Sequence, residues 1–354
     1  MKEKKIIIRA DGNARIGAGH LMRCLTIADA VPEKESVIFV CADEESAALA
    51  RERGYEARVL HTDYREMETE LPVWQQMLGI SDMLLQQSRV ILVDSYYMTN
   101  AYLTELKKYG FVVVLDDMAK TPWNADVVIN YNAFADQEMY EALDSPYETR
   151  YYTGGRYIPI RAEFCNVDGR KNSGNAAWND ASRAGNILIT TGGGDLDNIA
   201  GQILKRIWLK NCHYNIVTGR FNPHYDTLLK LAEEYSNIHI YHDVKNMAQL
   251  MEQCDLAVTA GGTTIYELSA MGVPFVCFSY AENQEKLTEY IGKHGIAGYG
   301  GAFHKEPEQT LNVIREQILE LQENVELRRK YSEEEQKLVD GRGAARIAEI
   351  LCKK

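Results

Sequence analysis

Short apolar runs alternate along the chain with longer stretches in which apolar positions recur every three or four residues. "KIIIRA" precedes "HLMRCLTIADAV", "SVIFVCA" precedes "EESAALARERG", and "RVILVDS" precedes "TNAYLTELKKYG" and then "VVVLDD". The short runs read as strands buried on both faces and the longer stretches as amphipathic helices. Strands separated by helical crossovers pair in parallel, and a parallel sheet must be covered on both faces. The N-terminal half is therefore expected to be a doubly wound α/β domain, with "ADVVINYN", residues 125–132, as one more buried strand.

The segment 166–185, "NVDGRKNSGNAAWNDASRAG", lacks periodicity and is rich in Asn, Gly, Ser and charge, which predicts a linker or long loop. Beyond it the rhythm restarts with "NILITTGGGD", "NIAGQILKRIWL", "HYNIVTG", "IHIYHDV", "MAQLMEQC", "LAVTAGG", "GTTIYELSAMG", "VPFVCFSY" and "NQEKLTEYIGKHG". The expected division is thus a Rossmann-like domain over 1–165, a linker over 166–185, and a second Rossmann-like domain over 186–354 that keeps the charged helical tail. Two such domains in one chain imply a ligand in the cleft between the carboxyl ends of their sheets.

Composition narrows the function classes. A chain of 354 residues is long enough for two cores. A formal charge of -12 argues against nucleic acid and anionic membranes as partners. A small anion remains compatible, because helix N-termini and backbone amides bind phosphate locally. Cysteines 24, 41, 165, 212, 254, 277 and 352 are scattered without C-x-x-C pairs, which suits reduced thiols in a cytoplasm rather than disulfides or zinc. No stretch approaches the roughly 20 apolar residues of a membrane span, and the apolar run of "MKEKKIIIRADG" is too short for a signal peptide. A cytoplasmic protein is the expectation, and a monomer is favoured although nothing in the sequence fixes the oligomeric state.

Three turns carry candidate chemistry. In "IIIRADGNARIGAGHLMRC", residues 6–24, a strand runs into a helix through Arg9, Asp11, Asn13, Arg15, Gly17, Gly19 and His20. A neutral imidazole, with an unperturbed pKa of about 6.5, accepts a proton near pH 7. On the pattern alone, a first-turn residue holding phosphate or backbone is the simpler role for His20. Arg9 and Asp11 form either an ion pair that fixes the loop or part of a ligand site, and Arg15 or Arg23 lies near any phosphate. In "ITTGGGDLDN", Gly193, Gly194 and Asp195 stand between a strand and a helix, where glycine serves either an anion or a tight turn. In "VTAGGTTIYELSAMG", Gly261, Gly262 and Thr263 open a helix on which Glu267 either closes a capping box with Thr264 or holds a ribose diol. Asp116 and Asp117 are adjacent on a strand and so face opposite sides, which argues against a shared metal.

"AGGTTIYELSAMGVPFVCFSYAENQ" resembles the nucleotide-sugar signature of GT-B glycosyltransferases related to the UDP-GlcNAc transferase of peptidoglycan synthesis. That resemblance implies a GT-B-like α/β fold, with Gly261, Gly262 and Thr263 at the diphosphate, Glu267 on the ribose, and Asn283 and Gln284 near the sugar. "RADGNARIGAGHLMR" resembles the signature R-x-D-x-x-x-x-I-G-x-G-H-x-x-R of the UDP-2,4-diacetamido-2,4,6-trideoxy-β-L-altropyranose hydrolases of pseudaminic acid biosynthesis. "VDSYY" (93–97), "VLDDMA" (114–119), "VINYNA" (128–133), "GGRYIPIRAEF" (154–164) and "TTGGGD" (190–195) are similar to the same family in the same order. Ser95 departs from it, because some relatives carry histidine there.

This second resemblance implies a hydrolase that releases UDP from a diacetamido sugar with inversion and without metal or cofactor, with His20 activating water. A good leaving group such as UDP needs no strong general acid, unlike ordinary glycosides with their carboxyl pair. It places Arg9, Asp11, Asn13, Gly17, Gly19, Asp94, Tyr96 and Asn132 around the sugar. Gly193, Gly194, Asp195, Gly261, Gly262, Thr263 and Glu267 are placed on UDP. Tyr157 and Arg161 either contact substrate or brace the domain junction. A glycosyltransferase with the same donor site, or a sugar-nucleotide-binding protein, is the alternative.

Overall fold

The computed structural model describes residues 5–78, 88–165 and 184–353. The chain divides into two compact units, 1–159 with 342–354, and 160–341.

The first unit runs β1 (Lys5–Ala10), α1 (Gly19–Asp29), β2 (Val37–Cys41), α2 (Glu44–Glu52), β3 (Glu56–Val59), α3 (Leu71–Leu78), β4 (Arg89–Asp94), α4 (Asn100–Leu106), β5 (Phe111–Leu115), β6 (Val127–Asn130), α5 (Glu138–Glu141) and β7 (Arg150–Thr153). Its seven parallel strands lie in the order β3-β2-β1-β4-β5-β6-β7. Ile7, Ile91, Val93, Val112 and Val114 join Trp74, Tyr102 and Leu103 in one buried cluster, so the apolar runs are central strands as expected. Strand order reverses between β1 and β4. Connections leave those two strands in opposite directions, which opens a crevice at their carboxyl ends.

The second unit runs β8 (Asn186–Thr190), α6 (Ile199–Ile207), β9 (His213–Thr218), α7 (Tyr225–Glu234), β10 (Ile238–His242), α8 (Met247–Met251), β11 (Leu256–Ala260), α9 (Thr263–Met271), β12 (Phe275–Ser279), α10 (Glu282–Lys293), β13 (Gly298–Ala302), α11 (Pro307–Glu323) and α12 (Val325–Leu338). Its parallel order, β10-β9-β8-β11-β12-β13, repeats the plan, with the reversal between β8 and β11. Ile187, Ile189, Tyr214, Ile216, Leu256 and Val258 form its core with Leu311, Ile314 and Ile318 of α11.

Two expectations about the domains change. The expected linker lies outside the described residues apart from Ala184 and Gly185. The tail also divides: α11 and α12 stay with the second unit, whereas α13 (Gly343–Cys352) belongs to the first. Ile347 and Leu351 of α13 are buried, Arg346 donates to the Arg156 carbonyl at 2.7 Å, and Gly343 lies so close to the Ile158 backbone that a Cβ there would run into it. The handover at the other end falls after Pro159, and Ile160–Cys165 belong to the second unit.

Candidate functional site

At the crevice of the first unit, β1 delivers Arg9 and then the turn that leads to α1. Arg9 is fully buried; its Nε donates to Glu70 at 2.9 Å, and it pairs also with Asp11 and with the second Glu70 oxygen. Asp11 in turn accepts from the Ala42 N–H at 2.7 Å. Of the two roles left open for Arg9 and Asp11, the structure shows the ion pair that fixes the loop. Asn13 likewise builds the turn. Its Oδ1 accepts from the N–H groups of Arg15 (3.0 Å) and Ile16 (3.2 Å), its Nδ2 donates to Asp43 (2.7 Å), and its carbonyl accepts from Gly17 N–H (2.8 Å). Gly17 has φ +74°, a left-handed conformation that glycine adopts without strain. Gly19 then starts α1, which no side chain caps, and His20 occupies its first turn.

His20 meets Asp94, the last residue of β4, with Nδ1 2.7 Å from Oδ1. Arg23, one turn further along α1, grips the same carboxylate in bidentate fashion: Nε donates to Oδ2 at 2.6 Å and Nη2 to Oδ1 at 2.5 Å. Burial works against the Asp94 charge, but Arg23 and then His20 outweigh it and hold the carboxyl well below the usual range. Arg23 Nη2 also lies 3.0 Å from His20 Nδ1. A guanidinium only donates and an ionised carboxylate only accepts, so the shorter contact to Asp94 assigns a proton to Nδ1, which makes Nε2 the acceptor of the neutral ring. Cys24, a buried thiol pushed up by desolvation, donates to Asp94 Oδ2 at 3.4 Å. The His20 side chain is 12% exposed.

The other hand of Arg23 is equally committed. Nη1 donates to Asp117 Oδ2 at 2.7 Å and to the Tyr131 hydroxyl. The Tyr96 hydroxyl donates to Asp117 Oδ2 at 2.9 Å, its ring meets the His20 ring edge-on with centroids 4.5 Å apart, and the residue is 47% exposed. Asn132 reaches Asp117 Oδ1 at 3.4 Å and Asn130 at 3.1 Å. Arg23 is therefore paired with two carboxylates. Asp116 points the other way, accepting from Tyr140 (2.8 Å), Met118 N–H (3.0 Å) and Ala119 N–H (3.2 Å); the two aspartates lie just past the end of β5, and it is the turn held by Asp116, not strand alternation, that parts them. Ser95 Oγ accepts from Tyr97 N–H at 3.1 Å and shapes the turn beside Asp94. Tyr157 is buried, with the Tyr152 ring edge-on and the Arg156 guanidinium over its ring.

In the second unit the crevice lies between the ends of β8 and β11. Asp195 caps α6, accepting from Ile199 N–H at 2.6 Å and Ala200 N–H at 3.1 Å, so both its oxygens serve the turn. Gly193 packs against Gly219, where a Cβ would come within 2.5 Å of its Cα, whereas a Cβ on Gly194 would meet nothing within 4 Å. Gly261 is held by packing too, because a Cβ there would stand 2.8 Å from Gln284 Cβ and 2.9 Å from Thr288 Cγ2. Gly262 borders open space and is the N-cap of α9, whose first N–H groups, beginning at Thr263, have no side-chain cap. That end of α9 favours an anion.

Glu267 does not close a capping box. Its Oε1 accepts from Arg161 Nε at 2.9 Å, and Arg161 also pairs with Glu163 at 2.8 Å. Burial pushes the Glu267 carboxyl up and Arg161 pulls it only partly back. Asn283 and Gln284 lie in the first turn of α10, where Gln284 Oε1 accepts from Tyr280 N–H at 3.1 Å.

Sequence reasoning missed Asp117, Tyr131 and Glu70 as partners in these clusters. The spacing of His20 and Arg23 puts both on one helix face and was the available signal for Arg23.

Residues 186–346 match the Glycosyltransferase family 28 C-terminal domain. The chain is 26% identical over 300 residues to "Uncharacterized protein MJ1062" of Methanocaldococcus jannaschii, an alignment covering 82% of this chain and 58% of that protein. It is 25% identical over 293 residues to the UDP-2,4-diacetamido-2,4,6-trideoxy-β-L-altropyranose hydrolase of Campylobacter jejuni, covering 82% of this chain and 97% of that one, as the hydrolase resemblance leads one to expect. The MurG structure of Acinetobacter baumannii superposes with a TM-score of 0.62 at 15% identity, over 99% of this chain and 100% of that one. The fold is the GT-B-like α/β arrangement of two parallel-sheet domains.

Proposed function

We propose that this chain, with its family 28 C-terminal domain, hydrolyses the anomeric bond of a UDP-linked 2,4-diacetamido-2,4,6-trideoxy sugar and releases UDP. The observation that carries the reading is the buried carboxylate of Asp94 on His20 Nδ1, which leaves Nε2 as a proton acceptor at a sheet crevice. His20 is thus the general base, held in tautomer and orientation by Asp94.

Water loses a proton to His20 Nε2 as its oxygen bonds to the anomeric carbon. The bond from that carbon to the phosphate oxygen breaks on the opposite face, its electron pair leaves with UDP, and the configuration inverts. The open N-terminus of α9 at Gly262 and Thr263 holds the diphosphate, and Glu267 takes the ribose hydroxyls while Arg161 balances its charge. Tyr96 and Asn132, on the same network as His20, line the sugar. Gly17, Gly193, Gly261 and Asp195 shape turns, and Arg9, Asp11 and Asn13 position His20 without touching substrate.

The family 28 match favours a second reading, transfer of the sugar to an acceptor hydroxyl. Incubation with candidate UDP-sugars in the absence of acceptor, followed by phosphorus NMR, separates the two. The hydrolase reading expects UDP to accumulate from the diacetamido-altrose nucleotide, and no release from it without acceptor would overturn that reading.

A further inference from the structure

The clamp on Asp94 raises a question of charge that the base role alone does not answer. One carboxylate faces two cations: Arg23 permanently, and the His20 imidazolium once the proton has been taken. If Arg23 drew only on Asp94, it would oppose the positive charge that His20 must accept. Arg23 Nη2, 3.0 Å from the ring nitrogen, stands where that opposition is greatest.

Asp117 resolves the conflict. It is the second carboxylate on Arg23, at 2.7 Å, on the hand of the guanidinium that faces away from Asp94. We infer that Asp117 is the charge-compensating positioning residue of the base, acting through Arg23 to leave the negative charge of Asp94 available to the His20 imidazolium. The cluster then carries two carboxylates against one guanidinium before proton transfer, and is balanced after it. Among the described residues, the titratable and charged groups bonded into the cluster around His20 are Arg23 and Cys24 on α1, Asp94 at the end of β4, and Tyr96, Asp117 and Tyr131 in the loops that follow β4, β5 and β6. Cys24 is a protonated thiol and the Tyr96 hydroxyl donates to Asp117, so neither supplies the missing charge. Tyr96 is tied to the same oxygen as Arg23, so Asp117 also fixes the ring that meets His20 edge-on.

The kinetic arm of the test rests on the hydrolase reading, whereas the titration arm does not. In the full chain without substrate, the His20 ring is titrated by nitrogen–proton NMR in wild type, Asp117→Asn and Asp117→Glu. Removing the charge is expected to lower the His20 midpoint by about one pH unit, and the glutamate to restore it. With the UDP-sugar, the acidic limb of kcat/KM moves down by the same amount in Asp117→Asn, kcat at the plateau falls about tenfold, and KM stays within about twofold. Asp117→Ser carries the same expectation should the asparagine variant not fold. An unmoved midpoint in a folded charge-removing variant would overturn the inference, as would a large rise in KM with the limb unmoved, which would put Asp117 on the sugar. If the nucleotide is not hydrolysed at all, the functional reading fails while the titration still decides the role of Asp117.

Discussion

Glu335 offers a test of the second unit that is independent of catalysis. It lies on α12, fully buried, and its Oε1 accepts from Phe275 N–H at 3.3 Å at the start of β12. Its Oε2 is a buried oxygen without a hydrogen-bond partner. Burial pushes this carboxyl well above the ordinary range, and the single backbone donor does little to oppose it. The folded state therefore keeps a proton that the unfolded chain sheds above a pKa of about 4.3, so stability falls as pH rises through that value and goes on falling until the folded carboxyl itself ionises. The slope is about 1.4 kcal/mol per pH unit while the folded carboxyl stays neutral, which sets a ceiling of about 4 kcal/mol on the cost at pH 7 relative to pH 4.3. Glu335→Gln keeps the shape, the acceptor for Phe275 and a donor in place of the acid hydroxyl, and abolishes the cost. Urea unfolding followed by circular dichroism between pH 5 and pH 8 is expected to show a variant little different from wild type at the acid end. By pH 7 it gains at most about 4 kcal/mol in the transition of the second unit. A gain that does not change with pH, or a variant less stable than wild type at pH 7, would refute the reasoning.

Two further substitutions address the proposed chemistry. His20→Ala is expected to abolish turnover while UDP binding, measured by calorimetry, persists; unchanged turnover removes His20 from the base role. Glu267→Gln removes the charge opposite Arg161 at constant size and is expected to weaken UDP about tenfold, or about 1.4 kcal/mol; undiminished affinity confines Glu267 to holding Arg161.

The central strands were legible because β1, β4, β5, β8, β11 and β12 are covered on both faces and read as unbroken apolar runs. The edge strands β3 and β7 were not, since their residues are half exposed and carry no such run. β13 hid behind its glycines: a Cβ at Gly300 would stand 2.5 Å from Ile314, so α11 packs there only because the strand lacks side chains. At the site, the turn that carries His20 was visible in the sequence, but its partner is 74 residues away and reaches it only through the pairing of β1 with β4. For that reason Asp94 was expected at the sugar and Arg23 near phosphate. Neutralisation of Arg23 depends on carboxylates 71 and 94 residues distant, and no local spacing encodes it. Asp195 was expected on UDP and is seen holding the first N–H groups of α6, and of the two roles open for Glu267 the capping box is not formed.

The division of the tail has a consequence for the order in which the chain can mature during synthesis. The second unit occupies one continuous stretch, 160–341, whereas the first is completed by residues that follow it. Helix α1, which carries His20 and Arg23, packs against α13, and Ile347 and Leu351 find their burial in the first unit. Domains ordinarily fold in the order in which they emerge from the ribosome. Here the second unit has its whole sequence in hand while the unit bearing His20 still lacks its last helix. The part that begins first is the part that finishes last.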